Sequence, residues 1–240
     1  MVLDFSDEVS EARPAATAIV VRDSAAGLEV LLLKRSDALK HMPGLWVFPG
    51  GKVEATDPGV GELEQARYAA ARELQEESGI ALDPEVLQPF SHWLTPVVVS
   101  RRFATWFFLG DVAGDQLVQV DGSEIVEHRW LSPSSAVALH HAGNLPMTPP
   151  TLVSLHAIED NVDVASLSAA MQHRSVQRFF PNVVREDERM VFLYEGDAAY
   201  ESGNLGDQGP VHRTTGQRGI FRYHVAGGMP DSVVISSRNH

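Results

Sequence analysis

The sequence predicts an α+β or mixed α/β sandwich. Three observations carry this. Runs rich in β-branched and aromatic residues come in pairs around short turns. One long alanine-rich stretch with helical spacing separates the first two pairs. No succession of strand, helix and strand repeats in the way that builds a wholly parallel sheet. With 240 residues, 44% of them hydrophobic, the chain suits one domain, or one domain with an extension.

The elements follow in order. "ATAIVVRD" (16–23) and "LEVLLLKRS" (28–36) flank the turn "SAAG" and read as a β-hairpin. Residues 37–53 carry Pro43, Gly44, Pro49, Gly50 and Gly51, so they read as turn, short strand, turn. "EATDPGVG" (54–61) is a loop. From Glu62 to Ser78 helix formers dominate, with Ala66, Ala69, Ala70, Leu74 and Ile80 on one stripe and Gly79 as the stop. "FSHWLTPVVVS" (90–100) and "RRFATWFFLGDV" (101–112) form a second strand pair, and "EIVEHRWLSP" (124–133) a further strand. Helices are expected over 132–143, 149–160 and 163–174, the second opened by Pro150 and Thr151. Beyond residue 178 strands return, in "ERMVFLYEG" (188–196) and "RGIFRYHVAGG" (218–228). The expected organisation is a tail (1–14), a domain (15–177) and a β-rich extension (178–240) that packs on the domain or on a partner subunit.

Composition excludes several functions. A net charge of -13 repels nucleic-acid backbones, so no nucleic-acid partner is expected. The absence of cysteine excludes disulfides, thiolate catalysis and cysteine zinc sites, and fits a reducing compartment, so a cytoplasmic location is expected. The N-terminus lacks the basic start and apolar run of a signal peptide, and no stretch approaches the ~18 apolar residues of a membrane span. No membrane partner is expected.

Chemistry concentrates in "RELQEESG" (72–79). On a helix, Glu73, Glu76 and Glu77 stand at i, i+3 and i+4 and point at one patch. Like charges so placed repel, and a divalent cation would offset that repulsion. Hard oxygen ligands suit Mg²⁺ or Mn²⁺. The run Glu64-x7-Arg72-Glu73-Leu74-x-Glu76-Glu77-x-Gly79-Ile80 follows a Gly50-Gly51 pair at the end of a strand. It resembles the second part of the Nudix hydrolase signature. That signature opens with Gly-x5-Glu, whereas Gly51 to Glu64 encloses twelve residues, which places an insertion of seven in the loop, where extra length costs little. The resemblance extends from about residue 15 to 155, through "FPGG", "FATWFFL" and "EIVEHRWLSPSSAVAL".

The resemblance implies a Nudix α/β/α sandwich with a mixed sheet, and metal-dependent hydrolysis of a diphosphate bond in a small nucleotide substrate. By it, Glu73 and Glu77 are the main metal ligands, Glu76 shares the cluster, and the Gly51 carbonyl is a further ligand. Arg72 orients a carboxylate, Glu64 or Glu73. Gly50, Glu64 and Gly79 frame the motif, and the general base is Glu76 or Glu124. Homodimers are common in the family.

For the substrate, "LLLKRSDALKHMPGLWVFPGG" resembles the coenzyme A-cleaving branch. Arg35, Ser36, Leu39, Lys40 and Gly44 match, Leu33 replaces a threonine, and His41 falls one place early. "MPG" before "VFPGG", the long loop and "LPMTPPT" are similar to the Nudix type 19 branch, linked to coenzyme A and acyl-coenzyme A. Lys34, Arg35, Lys40, Arg101 and Arg102 are then candidates to meet the 3'-phosphate or the diphosphate. The alternatives are an ADP-ribose or NADH diphosphatase and a non-catalytic, nucleotide-binding regulatory domain. The tryptophans fall in strand-like runs and read as core, with Trp46 and Phe48 kept as candidate substrate contacts. "MTPPT" (147–151) reads as a pocket-lining loop or a helix start, and His41, His140 and His141 show no metal-ligand spacing.

Overall fold

The computed structural model of the chain describes residues 10–227. Most of the expected tail, and 228–240 of the expected extension, lie outside them. Twelve strands and four α-helices make up the described residues.

The first sheet has eight strands. Strands β1 (Arg13–Ser24) and β2 (Gly27–Arg35) form the expected antiparallel hairpin, in register from Val21↔Val30 to Ser24↔Gly27. The short β3 (Trp46–Val47) pairs with β2, and β4 (Gly50–Lys52) pairs with β1 at Ala15–Thr17. One edge of β1 thus serves β4 first and β2 later. Its other edge runs parallel to β6 (Phe103–Asp111) all the way from Arg13↔Phe103 to Val21↔Asp111. Antiparallel β5 (Gln88–Leu94) lies beyond β6, and β7 (Ile125–Leu131) covers the far side of β2. The expected strand over 90–100 stops at Leu94, because Pro96 has no N–H for a ladder and its carbonyl instead accepts from Val99 in a turn.

Alternation along β1 assigns the two faces. Ala16, Ala18 and Val20 meet helix α1 (Glu62–Ser78) through Ala66, Ala69, Ala70 and Leu74. Facing alanines let the helix approach closely. The helix ends where expected: Gly79 adopts the left-handed conformation (φ 72°) and its N–H returns to the Gln75 carbonyl. On the other face Ile19, Val21, Val30 and Leu32 pack with α2 (Pro133–His141), α3 (Pro149–Ile158) and α4 (Val164–Gln172). Three layers result, as expected.

Strand β8 (Gln177–Phe179) crosses the expected domain boundary at 177 and lies parallel to β5 in the first sheet. The remaining strands, β9 (Asn182–Glu186), β10 (Arg189–Leu193), β11 (Val211–Gln217) and β12 (Ile220–Ala226), form a second, antiparallel sheet. This sheet shares the core of the first. Trp93 stacks on Phe179 at 3.9 Å between centroids, and Tyr194 meets both rings edge-on at 5.6 and 5.3 Å. His140 of α2 ties the layers together, with Nδ1 at 3.0 Å from the Leu145 carbonyl and Nε2 accepting from the Phe221 N–H at 2.9 Å.

Candidate active site

The last turns of α1 lie against β4, and two glycines make this possible. A Cβ at Gly51 would collide with the Glu73 carboxylate, and one at Gly50 would strike Thr17 and the Ala16 carbonyl. With no side chain there, the Gly50 N–H reaches Glu77 and donates to its carboxylate at 2.9 Å. Glu77 is 8% exposed.

Arg72 organises the other acids. Its Nη1 donates to Glu73 at 2.9 Å and to Glu76 at 3.2 Å. Its Nε and Nη2 donate to the two oxygens of Asp57 at 2.8 and 3.1 Å, and Nη2 also to the Lys52 carbonyl at 3.0 Å. Of the two expected partners, Glu64 or Glu73, Arg72 holds Glu73 and not Glu64. Glu64 is exposed and accepts from the Val60 N–H at 2.6 Å, capping the loop before α1. Asp57 takes its place because it is buried beneath the guanidinium. Gly51 to Asp57 encloses five residues, the spacing with which the signature opens, and aspartate stands for glutamate. The extra seven residues therefore follow this acid and do not precede it. The signal for Asp57 was that spacing, overlooked because the residue type differs.

The electrostatics are those of crowded, half-buried acids. Burial pushes the Glu77 carboxyl up to about 8, the Gly50 N–H and Arg35 counter this, and Glu73 and Glu124 add to it. Burial also raises Glu73, opposed by Arg72. At Asp57 burial acts upward too, but the Arg72 and Glu54 hydrogen bonds outweigh it and hold the carboxyl below its usual range. Among the described residues no three acidic or histidine side chains already converge on one point. The donors gathered here are all oxygens, and Glu77 is a carboxylate that burial disfavours as an anion. A hard divalent cation, Mg²⁺ or Mn²⁺, fits such a set.

A cavity of about 270 Å³ opens beside Gly50. Arg35 and Phe48 line it, as do Thr148, Pro149, Pro150 and Thr151. The "MTPPT" stretch is thus both pocket lining and the start of α3. Arg35 sits at a bulge where β2 leaves β7, and its buried Nε has no hydrogen-bond partner among the described residues. Phe48 is buried and meets Phe107 edge-on at 6.5 Å. Trp46, expected as a possible contact, is buried in the core and is not among the residues that line the cavity; it lies under the Arg129 guanidinium at 4.7 Å. Lys34 pairs through its backbone with Trp46 and Glu127, and Lys40 is exposed in the loop before β3. Arg102, expected to meet a phosphate, is buried and donates to the Thr95 and Ser10 carbonyls at 3.1 and 2.8 Å; packing of the N-terminal segment claims it. Arg101 is exposed beside it in a second cleft. Glu124 is exposed, and its carboxylate takes no hydrogen bond among the described residues. No helix among them is long and apolar enough to cross a membrane.

Comparison with known proteins agrees with this geometry. The NUDIX domain model matches residues 12–150. The putative nudix hydrolase 7 of Caenorhabditis elegans is 31% identical over 161 residues, 52% of this chain and 54% of that protein. The acyl-coenzyme A diphosphatase NUDT19 of Xenopus laevis is 24% identical over 277 residues, 75% of this chain and 73% of that protein. The chain thus spans about half the length of the first relative and about three quarters of the second. The crystal structure of a NUDIX hydrolase from Alicyclobacillus acidocaldarius superposes with a TM-score of 0.61 at 22% identity, covering 71% of this chain and 99% of that one, a likeness of fold.

Proposed function

Because the chain belongs to the NUDIX domain family, we propose that it is a metal-dependent diphosphatase. Its substrate is coenzyme A or acyl-coenzyme A, cleaved to 3',5'-ADP and (acyl-)phosphopantetheine. The observation that carries the activity is the acid helix clamped by Arg72 and seated on the Gly50–Gly51 corner. Support for the substrate comes from the coenzyme A-branch pattern around Arg35 and from similarity, over most of the chain, to a protein named an acyl-coenzyme A diphosphatase.

Glu73, Glu76, Glu77 and the Gly51 carbonyl would hold Mg²⁺ or Mn²⁺. When bound, the ion neutralises diphosphate charge and lowers the pKa of an attacking water. Everything else falls to the chain. Asp57 fixes Arg72, and Arg72 holds Glu73 and Glu76 in place. Arg35, with a donor to spare, takes a diphosphate oxygen. Glu124, whose carboxylate takes no hydrogen bond among the described residues and which is close enough to Glu77 to perturb it, accepts the proton of the water that adds to phosphorus while a bridging P–O bond breaks.

The test is a substrate panel with Mg²⁺ or Mn²⁺: coenzyme A, acyl-coenzyme A, ADP-ribose, NADH and dinucleoside polyphosphates, with products identified. Coenzyme A species are expected to turn over best, and Glu77→Gln to lose about a hundredfold or more. Cleavage of ADP-ribose with coenzyme A untouched overturns the substrate. Ligand-stabilised melting without any product would indicate a binding domain.

A further inference from the structure

We propose that the cavity beside Gly50 holds the hydrocarbon end of an acyl thioester. The second sheet, through Phe192 and Tyr194, then sets the preference for acylated over free coenzyme A. This deepens the coenzyme A reading above and rests on it.

The cavity starts at Thr17 and Gly50, where β1 meets β4, and crosses β6 to Trp93 and Leu94 on β5. Two strand spacings make that span roughly 10 Å. Phe192 on β10 and the adjacent Tyr194 add to its lining.

Five of the polar side chains in this wall already have partners. Trp93 Nε1 donates to Ser91 Oγ at 3.2 Å, and the Tyr194 hydroxyl to Thr214 at 2.8 Å. Thr95 Oγ1 accepts from the Phe103 N–H at 3.0 Å, and the Thr148 and Thr151 hydroxyls face each other at 3.4 Å. Apart from the Thr17 and Thr105 hydroxyls and Arg35, the remaining lining side chains are rings and aliphatic groups. A nucleobase buried there would leave its edge donors and acceptors unpaired, and so would the two amides of a pantetheine arm. An alkyl chain leaves nothing unpaired.

Charge appears at one end only. There Arg35 joins the lining and the Gly50 N–H donates to Glu77. An anion at one end and hydrocarbon at the other describe an amphiphile. The pantetheine arm is longer than the cavity, so on this proposal it stays outside the mouth and turns the acyl end inward.

The probes are S-acyl-pantetheines from acetyl to octanoyl. They lack the diphosphate, so their binding to the full chain is read by titration calorimetry without metal. Affinity is expected to rise with each added methylene by about fourfold at full burial, and by at least tenfold over the series. In Mg²⁺, the octanoyl-to-free coenzyme A ratio of kcat/KM is expected to fall about tenfold or more in Phe192→Ala. Phe192 is a core residue whose loss can unfold the chain. Leu94→Trp, at a partly exposed rim position, fills the same space and is expected to lower the same ratio. Affinity independent of chain length overturns the proposal, as does an unchanged ratio in a folded Leu94→Trp. Chain-length-dependent binding without hydrolysis of any coenzyme A species would support the cavity assignment while the catalytic reading fails; hydrolysis with flat chain-length dependence would do the reverse.

Discussion

The Arg72 guanidinium grips both oxygens of Asp57, Nε to Oδ1 at 2.8 Å and Nη2 to Oδ2 at 3.1 Å. The loop before α1 is thereby fastened to the helix beneath the acidic patch. Opening the clasp leaves a cation half-buried and two glutamates unheld, a defect of the kind that costs about 3–5 kcal/mol when a buried pair loses one member. Asp57→Ala is expected to lower turnover by roughly ten- to hundredfold, while Glu64→Ala stays within about twofold. Steady-state kinetics of the two variants side by side decide it; equal losses would return Glu64 to the role of partner.

Gly51→Ala forces a methyl group onto the Glu73 carboxylate. The backbone there is paired to Ala16 and cannot retreat without breaking the β1–β4 ladder. Overpacking of this sort costs about 1–3 kcal/mol. We expect a modest fall in Tm together with a loss of turnover of at least about a hundredfold, as metal-held charge stabilisation is displaced. Retention of full activity would show that Glu73 can move freely.

Glu77 makes stability depend on pH. Its folded-state value, about 8, lies above the ordinary 4.5. The folded chain therefore prefers it uncharged. That stability is complete below the unfolded value and disappears as pH rises through about 8. Without metal, the wild type should lose a few kcal/mol between pH 5 and 9, while Glu77→Gln, which keeps an acceptor for Gly50, stays level. Calorimetric scans in EDTA test this; parallel curves for the two proteins would contradict it. Mg²⁺ should restore the wild type at the alkaline end.

Asp197 anchors the second sheet. Its fully buried carboxylate accepts from Arg213 Nε and Nη2 at 2.7 and 2.6 Å and from the His212 and Ala199 amides at 2.7 and 2.9 Å. Burial pushes its pKa up, yet Arg213 and the amides prevail and hold it low. Asp197→Ala should cost about 3–5 kcal/mol by denaturant melts. The wild-type contribution is present above the ordinary 3.8 and is lost as pH falls through the lowered value. A shift under about 1 kcal/mol would mark the pair as expendable.

Local chemistry made much of this molecule legible. Gly79 announced the end of α1, "SAAG" the hairpin, and the three glutamates their shared patch, because each depends on neighbours a few residues away. What escaped depends on distant partners. Asp57 stood at the right spacing but with a shorter side chain than the motif names. Arg102 looks like any surface cation until Ser10 arrives from the N-terminal segment. Strand β8 gives no local sign that its partner is β5, and nothing in "VFLYEG" tells that Phe192 and Tyr194 line a cavity shared with the first sheet.

Strand β1 offers one edge to β4 and then to β2, with β6 along the other. The glycine corner that receives Glu77 exists only once that three-way junction has closed, and closure must wait for a segment far downstream. A truncated chain ending before Phe103 would therefore carry Arg72, Glu73, Glu76 and Glu77 and none of the arrangement that gives them meaning.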